Sequence, residues 1–538
     1  MITAYLLVAL AQQPGKPEAL MTRLGGFHRA VSTKNRTCQQ FFDQGLACLY
    51  GYQYSTALRS FQQAINADPE CAMAYWGLAA SYGPTINTPD VDAEDSKKAL
   101  EALDHADKAK EASELERELI AAQRLRFNAS GPKDRTALNA AFSNRMRTVW
   151  EHHRRDSDVG SLFAEALLDE RPWDQWTLDG KPNPGTEEAV STVEEVLRQS
   201  PRHPMALHVY IHAVEASPHP EKALKAADTL FDLQPDLSHM QHMPCHIYAR
   251  TGQWAKSIHS NIVAIARVKE YQLSRGISPK AAPNVGHYSH ALAFAAGMRG
   301  QSKIALHSMD LGGLSNEYLE KNAANFDGEL AMPLEVQQQF GKWDDVLSAQ
   351  IFGKGLPIAR TMQAGARAVA FAATGELEQA KKELVRFAEA KQLIPADKAD
   401  GRTMIHDVLA VEQHLATGEV LIREAGKEEE GLQEMRKAVE LEDHLPYSEP
   451  PDWIMPTRHA LGAALLMLGK YPEALDVFNE NLRRLPNDGW ATMGLSKALR
   501  GLGQVKEADK TLAKFKTLWK DADITISTSC MCLEPRTK

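Results

Sequence analysis

A period of 34 residues constrains this chain more than any other feature. Ala189, Ala223 and Ser257 are spaced by 34, as are Val193, Ala227 and Asn261, while Pro201 and Pro235 keep the interval and each closes a helix-forming stretch. Ala474 and Ala508 repeat it, followed by the pairs Phe478 and Leu512, then Asn481 and Phe515. Ala57, Phe61, Ala64 and Pro69 carry the same internal spacing once more. Small and large residues at i, i+4 and i+7 share one helical face. A face that recurs every 34 residues predicts helix-turn-helix units that bury their apolar sides only by stacking on their neighbours. At roughly 150 residues per domain, 538 residues would divide into three or four domains. A repeat array escapes that limit, because each unit needs only the units beside it.

The second helix of a unit reads small-x3-large-x2-small-x4-Pro from Ala57 to Pro69. First helices carry Trp76 and Tyr82 in one unit and Leu461, Gly462, Leu465 and Gly469 in another. These features resemble the tetratricopeptide repeat (TPR) family over about 40–128, 134–310 and 361–520. The resemblance implies an all-α fold, an α-solenoid of TPR-like helix-turn-helix repeats with inserted loops, whose first helices line a groove suited to a protein or peptide partner. The expected organisation is an N-terminal segment 1–39, an N-terminal array 40–310, a C-terminal array 311–520 and a tail 521–538. Four segments rich in turn formers or aromatics interrupt the period: 83–96, 171–185, 272–285 and 446–456. Insertions of this kind usually become loops on one face of the array.

Histidine is unevenly spread. Eleven of the nineteen histidines fall between His203 and His307. Counting from the first residue of each repeat, the unit that begins at Pro204 has His208 and His212 at positions 5 and 9. The unit that begins at Ser238 has His239, His242 and His246 at positions 2, 5 and 9, and the one that begins at Gly286 has His287 and His290 at positions 2 and 5. These positions lie one turn apart on one helical face, distinct from the apolar face of Leu207, Tyr210, Ile211 and Val214. In TPR proteins, positions 2, 5, 9, 12 and 13 are similar to a ligand-contact set, which adds Glu215 and Arg250; Glu165, one helix earlier, is a further carboxylate for the same groove. Pairs spaced His-x3-His and His-x2-His let one helix offer two imidazoles to one ion. The seven histidines are therefore candidate metal ligands, for Zn, Cu, Fe or Ni without distinction. A metal-dependent protein, an enzyme among its forms, is one reading. A non-enzymatic scaffold that takes a partner protein, a peptide or a small molecule in a histidine-lined groove is the other.

The stretches Cys71-Ala-Met-Ala-Tyr-Trp-Gly77, His242-Met-Pro-x-His246 with Trp254, and Glu449-Pro-Pro-Asp-Trp453 resemble motifs of long bacterial TPR proteins. Cys245 stands where such proteins usually have serine, which favours a small buried hydrophobe there. Tyr54 stands where they often have histidine, which argues against a functional role for the first repeat. Trp173 and Trp176, in the loop before the histidine repeats, are expected to staple that loop down, with a water-excluding lid as the alternative. The pair Cys530 and Cys532 lies in a polar tail expected to be disordered.

Composition excludes some partners. With 61 Lys and Arg against 70 Asp and Glu, the net charge of −9 gives no broad basic field for nucleic acid. Six cysteines without a CxxC pair suggest neither a disulfide framework nor a structural zinc site. Residues 1–11 (MITAYLLVALA) resemble the apolar core of a secretory signal without its basic start, so export and a cytoplasmic location are both expected readings. No stretch approaches the roughly 20 apolar residues of an integral membrane span.

Overall fold

The computed structural model describes residues 18–276, 283–309, 316–323 and 327–533. The signal-like residues 1–11 and part of the third insertion lie outside them. The described residues are helical almost throughout, and their only paired strands are Ala399–Asp400 and Thr403–Met404, joined antiparallel. No described helix is long and apolar enough to cross a membrane.

The described residues fall into two compact units: 18–247 with 260–276, and 248–259 with 283–533. In the first unit, successive helices Arg36–Tyr50, Tyr54–Ala67 and Ala72–Ala80 pack pairwise. In the second, Thr457–Met467, Tyr471–Arg484 and Gly489–Gly501 do the same. Both runs close through one device. Phe61 is wedged between Gly45 and Gly77, and Phe478 between Gly462 and Gly494; a Cβ at any of these four glycines would run into the ring. The large residue of one second helix thus fills notches in the first helices on either side, and this interlock is what the 34-residue period encodes. The small residues of the period, among them Ala57, Ala189, Ala223 and Ala474, are buried accordingly. All-α architecture of TPR-like helical pairs is therefore what this sequence folds into.

Local signals set the boundaries. Asn35 accepts from the backbone N–H groups of Thr37 and Cys38 at the start of helix Arg36–Tyr50, and Ser113 with Glu116 forms a reciprocal capping box. His203 and Pro204 open helix Pro204–Val214: Pro204 occupies the first turn, where its missing N–H costs nothing, and His203 Nδ1 accepts from Ala206 N–H at 3.2 Å. His203 is thereby fixed as a helix cap, and its Nε2 faces Asp158 at 3.1 Å.

The insertions behave differently from one another. Residues 83–92 form a turn closed by Thr85 and Thr88, after which Asp92 caps helix Ala93–Lys108. The tryptophan loop is stapled, as expected, by Trp176 Nε1 donating to the Ala213 carbonyl at 2.8 Å. One expectation fails at the C-terminus. The stretch 521–533 is packed, not a loose tail: Ser529 and Cys532 are buried in the second unit, and Ser529 Oγ donates to the His459 carbonyl at 2.8 Å. Its polar composition misleads because the polar groups serve as anchors, with Asp523 accepting from the backbone N–H of Ser302 and Lys303.

Candidate metal centre

Five of the seven singled-out histidines belong to the first unit: His208, His212, His239, His242 and His246. Helix Pro204–Val214 supplies two of them and is buried on every face. The helical stretch from Ser238 supplies three; Pro244 interrupts it without disturbing the one-turn spacing of His242 and His246. The expected groove lining is therefore corrected in one respect: these imidazoles are buried, none more than 3% exposed.

Hydrogen bonds set the tautomer of four of the five rings. His208 Nδ1 lies 2.7 Å from the Tyr50 carbonyl oxygen, which can only accept, so the proton sits on Nδ1. His212 Nδ1 lies 2.8 Å from Oε1 of Glu215, and His246 Nδ1 lies 2.5 Å from Oε2 of the same carboxylate. His242 Nδ1 lies 2.7 Å from Asn261 Oδ1. Four Nδ1–H groups are thus held by acceptors, and four Nε2 lone pairs are left to point inward. Acceptors behind the imidazoles that fix tautomer and orientation are characteristic of histidines that ligate metals.

The inward nitrogens come together in two pairs. His242 Nε2 and His246 Nε2 are 2.9 Å apart, and His208 Nε2 and His239 Nε2 are 3.2 Å apart. One ring nitrogen from each of His208, His212 and His239 lies within 4.8 Å of the other two. His212 Nε2 is buried with no partner among the described residues. Two imidazole lone pairs that face each other repel unless a proton or a cation lies between them. A tetrahedral ion with bonds of about 2.0–2.1 Å holds its nitrogens about 3.3 Å apart.

Electrostatics agree with this arrangement. Burial, reinforced by neighbouring imidazoles, holds His208 and His239 well below the ordinary imidazole value of 6.5. Burial also lowers His212, against the pull of Glu215. Burial alone would raise the Glu215 carboxyl, but His246 and His212 bring it down to about 2. The centre thus sets three imidazoles with lowered proton affinity, His208, His212 and His239, beside one anionic carboxylate.

Two aromatic residues wall the histidines. The Tyr52 ring stacks on His212 and His239, with centroids 6.0 and 5.4 Å away, and Trp173 meets His212 edge-on at 5.5 Å. Tyr52 and Trp173 are two of only three non-glycine residues with left-handed backbone among those described, at φ 51° and 61°. Bulky residues adopt that conformation at a cost, and such positions cluster at functional sites.

The first repeat, discounted on the strength of Tyr54, thus supplies both the Tyr50 carbonyl and the Tyr52 wall. Tyr54 itself stacks on Tyr52. Glu165 is buried and accepts from the Tyr52 hydroxyl at 2.9 Å, so its link to the histidines runs through that ring. Cys245 is fully buried, as expected, with its sulfur 3.5 Å from His242 Nδ1.

The other predicted residues belong to the second unit. His290 is buried with Nε2 unpartnered among the described residues, His287 is half-buried beside Tyr288, and the Arg250 guanidinium lies 5.8 Å from the centre of the Tyr447 ring.

No protein-family model matches the chain, and no curated protein matches it. Solved structures similar to it include a human IFIT1 dimer with m7Gppp-AAAA, at 13% identity, with 91% of each chain covered and a TM-score of 0.32. The TPR domain of P58(IPK) is similar at 14% identity, with 87% of this chain and 99% of that one covered and a TM-score of 0.23. Likenesses of this size carry no inference about binding.

Proposed function

We propose that the histidine cluster of the first unit is a transition-metal centre, with His208, His212, His239, His242 and His246 as ligands through Nε2. Glu215, the Tyr50 carbonyl and Asn261 orient them from behind. The observation that carries this reading is that the Nδ1 atoms of four of these imidazoles are engaged by acceptors while their Nε2 atoms gather at 2.9–3.2 Å or stand unpartnered. An all-imidazole donor set suits Zn, Cu, Fe or Ni. Such an ion would supply Lewis acidity or, for Cu and Fe, electron transfer, beside the Tyr52 and Trp173 rings. His287 and His290 share repeat positions with His239 and His242 and are candidate ligands in their own right.

Elemental analysis of the purified protein, before and after loading with each of the four metals, tests this reading. Stoichiometric metal in the natural chain and its loss in His208→Ala/His239→Ala is the expected result. No retained metal from any of the four overturns it.

A helical array that holds a partner protein or peptide is the second reading. Imidazoles at most 3% exposed give a peptide little surface of their own, which supports the first reading at this cluster and leaves the rest of the array to the second. Pull-downs with the same double variant distinguish them, because a scaffold that binds elsewhere keeps its partners while it loses metal.

A further inference from the structure

We infer that Cys530 and Cys532, together with Glu419, form a thiolate site in the second unit for a soft or borderline metal ion, closed while the cysteines are bonded to each other and opened by a dithiol. It is independent of the histidine centre, which belongs to the other unit.

Two cysteines separated by a single residue, in a segment that composition marks as a tail, have no structural need to be buried. Here they are carried inward on a stretch anchored at several points. Trp519 Nε1 donates to the Ile524 carbonyl at 3.0 Å, Asp523 caps helix Ser302–Ser308, and Ser529 is tied to the His459 carbonyl. The Arg423 guanidinium reaches both partners of the proposed site: it donates to the Cys532 carbonyl and, at 2.8 Å, to the Glu419 carboxylate. A sulfur from each cysteine and an oxygen of Glu419 all lie within 4.8 Å of one another, with Glu419 and Cys532 buried and Cys530 half-buried. The two sulfurs are bonded in the structure.

A pocket opens beside them, bordered by Gln339, Trp343, Met455 and His459. Both amide atoms of Gln339 are buried without a partner among the described residues, so this pocket holds polar capacity that the protein itself does not use. Thiolates with a carboxylate suit Zn, Cd or Cu(I) better than Mg or Ca.

An external dithiol attacks the Cys530–Cys532 bond, leaves as its own cyclic disulfide, and its two hydrogens end on the two cysteine sulfurs. A divalent ion then displaces both protons as it binds the thiolates.

The test uses the full chain, reduced with dithiothreitol, desalted without oxygen and titrated with Cd(II). A thiolate-to-metal charge-transfer absorption that saturates at one equivalent is expected, absent from protein that was not reduced. Cys530→Ser/Cys532→Ser should lose it while the four other cysteines remain as background, His208→Ala should keep it, and Glu419→Gln should weaken binding on the order of tenfold or more. Thiol counting should find two more thiols in the natural chain after reduction and none in the serine variant, and an unchanged helical circular dichroism spectrum shows that the variant is folded. Absence of the absorption from the reduced natural chain, or its persistence in the folded double-serine variant, overturns the proposal.

Discussion

Glu215 is the residue on which the histidine centre turns. Its two oxygens hold His212 and His246 by their Nδ1–H groups, so one carboxylate orients imidazoles from two different helices. Glu215→Gln keeps the shape but offers one acceptor and one amide N–H, so one imidazole must turn or change tautomer. Metal affinity measured by chelator competition should fall by about 10–100-fold, the usual cost of losing an outer partner, with the fold intact. Asp158 is the equivalent anchor on the structural side. It accepts from the Tyr50 hydroxyl at 2.6 Å and from Arg29 at 2.7 Å, and it faces His203. Burial pushes its carboxyl up, but His203, Arg29 and Tyr50 bring it down to about 2 from an ordinary 3.8. A depressed carboxyl stabilises the fold fully above its unfolded value and loses that contribution as pH falls from about 4 toward 2. The shift corresponds to about 2.5 kcal/mol. Denaturant unfolding should therefore find Asp158→Asn less stable by about 2 kcal/mol at pH 6, with the gap narrowing as pH drops below 4. A gap that stays constant with pH would show that the carboxylate charge is not what matters.

At the scale of helices, the notch-and-ring interlock makes a sharp prediction. Phe478 is fully buried between two glycines whose Cβ positions its ring already fills. Phe478→Ala should cost roughly 3–5 kcal/mol, and Gly494→Ala, which adds a single methyl group, roughly 1–3 kcal/mol through overpacking. Calorimetry on the two variants checks the order; a neutral Gly494→Ala would mean that the ring can move aside. The parts of this interlock were legible in the sequence because they are local: Gly462, Ala474 and Phe478 fall within neighbouring helices, and the period exposes them. The histidine register was legible for the same reason. Positions 2, 5 and 9 are properties of single helices, and His208, His212, His239, His242 and His246 do come together. What the sequence hid is contact between distant segments. Nothing near Tyr50 or Tyr52 announces that residues about 160 positions later will need a carbonyl and a ring there, and a missing histidine at Tyr54 pointed the other way. The burial of the histidines was hidden too, since it depends on what the Tyr52 turn and the Trp173 loop cover. Cys530 and Cys532 failed to register because polar residues around them read as solvated when they are hydrogen-bonded anchors.

Across the whole molecule, two compact units mean that a ligand held by one stabilises that unit in particular. Metal that binds the folded histidine centre and not the unfolded chain adds about 2.7 kcal/mol at a free concentration one hundred times the dissociation constant. For a body of this size, each kcal/mol raises the unfolding midpoint by about 2–4 °C, so the metal-loaded first unit should melt about 5–11 °C higher than after chelation. Scanning calorimetry, with and without a chelator, reads this directly. The transition that moves should lose its metal response in His208→Ala/His239→Ala, while the transition of the second unit stays in place in both samples. If both transitions shift together, the stabilisation is not confined to the unit that holds the centre. If neither shifts, although elemental analysis finds the metal, then the ion binds the unfolded chain as well as the folded one. The convergent nitrogens would then be a consequence of helix packing and not a preorganised site. Separate responses of the two transitions are expected because the hydrogen bonds that orient four of the imidazoles, from the Tyr50 carbonyl, Glu215 and Asn261, are made within the first unit.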